Sequence, residues 1–247
     1  MFPIRDHNPS GSTPWVTWTL ILANAAVFLV ELGYLNSPAG QSALLRDWAL
    51  YPVLVTQYGE YTGIFSSMFL HAGFMHLAGN MLFLWIFGDN LEDALGHAGF
   101  LLLYVVAGVA AAVAQIAANP LSDIPTVGAS GAIGGVMGGY VLLFPRARID
   151  VLIIFIVFFR VVAVPAWLML GLWFAIQVFS GLGTPTDIGG VAYWAHVGGF
   201  AAGLVLTLPA WLRRGAAEFW QRTGGRPPHP DTEYTHTRVP RVKRRKW

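Results

Sequence analysis

The chain has 247 residues, 55% of them hydrophobic and 11% charged, with a formal net charge of +2 and no cysteine. Soluble domains carry roughly twice that charged fraction, so the composition excludes an ordinary soluble enzyme and points to a polytopic membrane protein. The missing thiols exclude disulfides, thiolate metal sites and a cysteine nucleophile.

Six stretches read as spans of a hydrocarbon core about 30 Å thick. After a short cytoplasmic segment, 1–14, the first is WVTWTLILANAAVFLVELGY (Trp15–Tyr34). It is too long for the core of a cleavable signal and reads as a retained helix. Leu35–Met68, rich in Trp, Tyr and Leu, reads as an external loop resting partly in the interface. The second span is Gly73–Asn90, the third Ala98–Ala118 and the fourth Gly128–Phe144. The next apolar run, IDVLIIFIVFF (Ile149–Phe159), is too short to cross as a helix and reads as interfacial or re-entrant. The fifth span is Val164–Leu182 and the sixth Val191–Leu212. From Arg213 to Trp247, Gly-Gly, Pro-Pro and VKRRKW mark a basic, disordered tail.

Basic residues set orientation. With the amino terminus inside, fourteen of the fifteen Lys and Arg lie inside and only Arg46 lies outside. An even number of spans then puts both termini in the cytoplasm. The expected fold is all-α, a six-helix membrane bundle over 15–212.

Polar side chains inside a bilayer are candidates for function. His76 and Asn80, four apart, share one helix face, and His71 caps the entry from the loop. Ser130 opens the fourth span and His196 lies early in the sixth. Counting from the inner ends at 1.5 Å per residue, Ser130 stands ~22 Å and His196 ~24 Å up, the same level under the outer boundary. Gly131, Gly135 and Gly139 repeat every four residues, as do Gly134 and Gly138, and Ala195, Gly199 and Gly203 on the sixth span. Small residues at this spacing let membrane helices approach closely. That approach brings the Ser130 hydroxyl to the His196 ring, where an imidazole turns a weak nucleophile into a competent one. Backbone N–H groups at the start of the fourth helix, with Asn80 and His76, are candidate oxyanion donors. Gly128, Gly131 and Gly199 are the small positions flanking the site. No acidic residue lies at this depth, so the expected unit is a dyad.

FLHAGFMHLAGN (Phe69–Asn80), GDNLEDALG (Gly88–Gly96), GASGAIGG (Gly128–Gly135) and AHVGGFAAG (Ala195–Gly203) together resemble the rhomboid family of intramembrane serine proteases. The resemblance covers about residues 12–212. It implies Ser130 as nucleophile, His196 as general base, and His76, Asn80 and the Ser130 backbone around the oxyanion. It further implies cleavage of single-span transmembrane substrates near the outer face of the bilayer, without cofactor, metal or nucleic acid. Two positions depart from the family pattern. Tyr61-Thr62 stand where many members have Trp-Arg. Gly134 stands where many carry an aromatic residue against the catalytic ring, leaving Tyr193 or Trp194 to hold His196.

Other chemistries fit less well. No His-Glu-x-x-His is present for a zinc protease. Asp89 lacks a mid-depth carboxylate partner for aspartyl chemistry. A haem bundle using His76 and His196 leaves Ser130 unexplained, and a transporter lacks midplane charges. The alternative of another class is a non-catalytic relative that binds membrane proteins, pseudoprotease or chaperone-like. The expected location is a prokaryotic plasma membrane, and the bulky fifth span, with Trp167, Trp173 and Phe174, is the expected gate.

Overall fold

The computed structural model describes residues 2–8, 10–155, 158–186 and 189–229. After strand β1 (Phe2–Asp6), helix α1 (Trp15–Leu35) starts behind Pro14 with no cap of its own. Its orphan N–H groups at Val16 and Thr17 donate to the Glu92 carboxylate, each at 2.8 Å, and Thr17 Oγ1 adds a third bond at 2.7 Å. A negative side chain at a helix N-terminus satisfies both the free donors and the helix dipole. This explains how Glu92 can be buried.

Helix α2 (Pro38–Trp48) has Ser37 as its cap and Pro38 in its first turn. A π-helical turn (Leu54–Tyr58), helix α3 (Thr62–Ser66) and a 3₁₀ turn (Ser67–Phe69) complete the loop. Leu50 and Thr126 exchange backbone bonds of 3.0 and 2.9 Å, and Ser66 Oγ donates to the Trp48 carbonyl at 2.6 Å. These bonds anchor the loop in which Tyr61-Thr62 stand.

Helix α4 (Phe74–Ala118) is interrupted at Gly96, whose φ of 72° and ψ of 159° suit glycine and leave the helix. Asn80 and Gln115 line one cavity. On a straight helix they would stand about 52 Å apart, so the two halves fold back on one another at Gly96. The expected second and third spans are these halves.

Helices α5 (Ser130–Leu143), α6 (Ala166–Gly183) and α7 (Tyr193–Arg213) follow, then a short α8 (Ala217–Thr223). Among the described residues, α1, α4, α6 and α7 are long and apolar enough to cross a membrane; α5, at 14 residues, is shorter. It is buried along almost its whole length between α4 and α7. A Cβ at Gly199 would strike the Gly131 carbonyl, one at Gly203 the Gly135 carbonyl, and one at Gly138 the Phe200 carbonyl. On the opposite side, Gly131 and Gly135 meet Ala111 and Ala107 of α4. Glycine weakens an isolated helix, but here its missing side chain is what lets three backbones share the space.

Two expectations need correction. The fold is mostly helical, but it also carries a small sheet. Strands β2 (Arg148–Phe155) and β3 (Phe158–Pro165) form an antiparallel hairpin, and β1 pairs with β2 in a three-stranded sheet. The run expected to be interfacial or re-entrant thus contributes residues 149–155 to β2 and residues 158 and 159 to β3. Its β-branched residues favour an extended chain, and pairing on both sides satisfies the β2 backbone. Nor is the chain beyond Arg213 simply a disordered tail. The Arg214 guanidinium bonds to the Ala94 carbonyl, Phe219 is buried in the core, and Trp220 Nε1 donates to the Leu142 carbonyl at 2.9 Å. His229 Nε2 lies 2.9 Å from an Asp93 oxygen. Phe219 and Trp220 supply apolar area that the basic composition obscured. The rest of that tail, 230–247 with its VKRRKW end, lies outside the described residues.

The sheet ties the N-terminal segment to the end of the bundle opposite the Leu50–Thr126 contact. Arg5 Nε and His7 Nε2 reach the Asp150 carboxylate at 2.7 and 2.6 Å. Asp6 Oδ2 accepts from Asn90 Nδ2 at 2.9 Å and from Tyr140 OH at 3.3 Å. Burial, reinforced by the Asp89 carboxylate, pushes Asp6 up to about 7 despite these hydrogen bonds.

Two predictions follow from the packing and the charge. Gly199→Ala should destabilise the bundle by about 2 kcal/mol, because a Cβ there meets backbone with no side chain able to yield. Gly171→Ala on α6, with open space around it, should leave the thermal midpoint unchanged or slightly raised. Equal midpoints for the two variants in detergent would contradict this packing. An acid held above its unfolded value keeps a proton in the fold that the unfolded chain releases, so its contribution to stability is lost as pH rises from 3.8 to about 7. Asp6→Asn should therefore gain in midpoint relative to the parent between pH 5 and pH 8, a trend read by thermal unfolding across that range.

Candidate active site

The α5–α7 contact sets Ser130, first residue of α5, beside His196, in the first turn of α7. Ser130 Oγ lies 2.8 Å from His196 Nε2. The other ring nitrogen, Nδ1, lies 2.8 Å from Gln177 Oε1 on α6. The Trp173 ring, also from α6, rests 5.6 Å from the imidazole at a tilt of 35°. Tyr193 and Trp194, the expected holders of His196, pack instead against Gly181 of α6. The departure at Gly134 has a steric reason. A Cβ there would sit 3.2 Å from the His196 carbonyl and 3.4 Å from Phe200 N, which leaves no room for an aromatic side chain. The stacking ring comes from α6 instead.

His76 and Asn80 lie on the first half of α4 and line a cavity of about 770 Å³ together with Ser130 and His196. His76 Nδ1 accepts from the Ala72 N–H at 3.3 Å, so the proton sits on Nε2. That edge faces Gly128. A Cβ on Gly128 would be 2.9 Å from His76 Nε2 and 3.5 Å from Ser130 Oγ. Gly128 has φ +127°, open to glycine, and its absent side chain lets the imidazole edge approach the serine. Asn80 Nδ2 donates back to the His76 carbonyl at 2.9 Å; its amide borders the cavity but is turned onto its own helix.

His71 is buried at 3% exposure, with its ring 5.2 Å from that of His76 and its backbone N–H on the Glu31 carboxylate at 3.2 Å. Burial and the neighbouring His76 hold His71 down at about 4, so it is neutral at pH 7 and fills the wall behind His76. Gln115 Oε1 accepts from the Ala195 N–H at 3.3 Å and ties the start of α7 to α4. Among the described residues, no cluster of three or more His, Cys, Asp or Glu is arranged to hold a metal ion.

Gln177 was missed by the sequence reading. It belongs to no motif, and its one signal is that it is an amide in a helix that is otherwise almost wholly apolar. Chemically, the arrangement offers a hydroxyl bonded to an imidazole, a polarised N–H on a second imidazole, and free helix-start N–H groups around one open cavity. This is the equipment of nucleophilic acyl transfer.

The family model for the Rhomboid domain matches residues 58–213. YdcA of Bacillus subtilis is 37% identical over 125 residues, covering 51% of this chain and 61% of that protein. The mitochondrial Rhomboid protein 1 of Saccharomyces cerevisiae is 34% identical over 146 residues, covering 58% of this chain and 40% of that protein. The Rhomboid protease GluP of Bacillus subtilis is 35% identical over 190 residues, covering 74% of this chain and 32% of that protein. The chain thus spans less than two thirds of each of these relatives.

If Gly134 is required by the approach of α7, Gly134→Tyr should lower the yield of folded protein and its thermal midpoint sharply. A Gly134→Tyr variant that folded like the parent would show that the α5–α7 spacing is not fixed by this glycine.

Proposed function

The chain belongs to the rhomboid family, and on that premise we propose that it is an intramembrane serine endopeptidase that works through Ser130 and His196. The observation that carries this reading is the 2.8 Å contact between Ser130 Oγ and His196 Nε2 inside an open cavity. The protein is integral to the membrane. In the proposed arrangement it crosses six times, through α1, the two halves of α4, α5, α6 and α7. The amino terminus and the basic residues near Arg146 and Arg213 face the cytoplasm, so the cavity opens toward the outer side.

The substrate is the transmembrane segment of another membrane protein, a single-span one in the simplest case. A peptide bond within a helix is shielded by its own hydrogen bonds, so the segment must unwind before attack. Ser130 Oγ adds to the carbonyl carbon as His196 Nε2 takes its proton. The Ser130 N–H, His76 Nε2–H and Asn80 Nδ2 after rotation off the His76 carbonyl steady the oxyanion, favoured by the positive end of the α5 dipole. His196 then returns the proton to the leaving amine. Water entering the cavity releases the acyl group by the same path in reverse.

Reconstituted in liposomes with a model single-span substrate, Ser130→Ala and His196→Ala should each lower cleavage by roughly a thousandfold or more. Asn80→Ala and His76→Ala should cost about tenfold or more each. Cleavage by Ser130→Ala at the parental rate would overturn the assignment. A parent that binds several substrates and cuts none would favour a membrane-protein-binding role.

A further inference from the structure

We propose that Gln177 is a positioning residue for His196, fixing the protonation and orientation of the ring through a chain of hydrogen bonds that runs in one direction from α6 to the serine. The proposal rests on the protease reading for its catalytic consequence, but its geometry stands independently.

The direction of the chain follows from donor and acceptor chemistry. Gln177 Nε2 lies 3.4 Å from the Trp173 carbonyl, which can only accept. The amide nitrogen therefore faces its own helix and the amide oxygen faces His196. That oxygen also only accepts, so His196 Nδ1, 2.8 Å away, carries the ring proton. Nε2 is then left with a free lone pair, 2.8 Å from Ser130 Oγ, which donates to it. Each group has one role compatible with its neighbours. Without Gln177 the two neutral tautomers compete, and the one with the proton on Nε2 cannot accept from the serine.

A carboxylate would perform the same task while also stabilising an imidazolium, as in the Ser-His-Asp triad. At 7% exposure and under the headgroups, a charge in place of Gln177 would carry a large desolvation cost. A neutral amide supplies the acceptor without it. Since Trp173 stands on the same helix and covers a face of the same ring, α6 holds the imidazole by its edge and by its face. His196 is set for catalysis only while α6 is seated against α7.

The test compares Gln177→Leu and Gln177→Glu with the parent, all full-length and in liposomes. Gln177→Leu keeps the bulk and removes the acceptor. It should lower kcat roughly tenfold to a hundredfold with KM within about twofold, because the substrate does not touch Gln177. Gln177→Glu, which keeps an acceptor oxygen, should recover most of that loss. Independently of cleavage, ¹⁵N NMR of histidine-labelled protein should show the His196 proton on Nδ1 in the parent and a mixture of tautomers in Gln177→Leu. An unchanged kcat and an unchanged tautomer in Gln177→Leu would overturn the proposal, and so would an effect on KM alone. If neither the parent nor any variant cuts, the protease reading fails while the NMR result still decides the role of Gln177. Should Gln177→Leu not fold, a parental His196 proton on Nε2 would suffice to reject it.

Discussion

The site depends on the backbone contact between α5 and α7. Gly131 and Gly135 present carbonyls where Gly199 and Gly203 present no side chain, and this sets the helix separation that leaves 2.8 Å between Ser130 Oγ and His196 Nε2. Hydrophobic burial cannot drive two helices together inside lipid, because lipid is as apolar as the side chains. Close van der Waals packing can. The glycines thus have two effects through one geometric fact: they hold the bundle together and they set the separation of Ser130 and His196. Ala107 and Ala111 of α4 extend the contact to a third helix, which is why α5 can be both short and almost fully buried.

A bilayer forces each interior polar group to find a partner, and the pattern of partners divides the molecule. At the end bearing the sheet, the partners are structural. Glu92 caps α1 and also accepts from His97 Nδ1 at 2.6 Å, while Asp6, Asn8, Asn90 and Tyr140 bond one another. At the other end, polar groups are left looking into a cavity. The Nε2 edge of His76 points past Gly128 toward Ser130, and the Asn80 amide borders the same cavity. One end is tied together by hydrogen bonds between its own side chains, and at the other His76, Asn80 and the start of α5 border an open cavity.

Much of this was legible in the sequence because membrane helices follow simple arithmetic. Nearly equal step counts from Ser130 and His196 to the far ends of their helices put them at nearly one height, and the four-residue glycine spacing marks which helices meet. Helix ends fell within a few residues of expectation, apart from the link at Gly96. What stayed hidden depended on rotation about a helix axis or on tertiary pairing. Gln177 becomes meaningful only once α6 is turned to place its amide against His196, and no local pattern sets that turn. Length against a bilayer says nothing of β2 (Arg148–Phe155), whose partners β1 and β3 lie far away and close by in the chain respectively. Phe219 and Trp220 were outweighed by the basic residues around them.

The exchange at Gly134 shows how such hidden contacts are coupled. An aromatic side chain on α5 at that position would occupy the gap in which the His196 carbonyl and Phe200 N lie 3.2 and 3.4 Å from the missing Cβ. Helix α7 can settle this close to α5 only if the ring that supports His196 comes from another direction. Trp173 supplies it from α6, where Phe174 also stacks on Phe200 at 4.6 Å. Support for the His196 ring therefore comes from the helix whose bulk suggests a gate. Swinging α6 away would strip His196 of both Trp173 and Gln177 at once. On the proposed protease reading, opening and chemistry would then be alternative states of one helix: a substrate would enter past a displaced α6, and Ser130 would be activated only after α6 had returned.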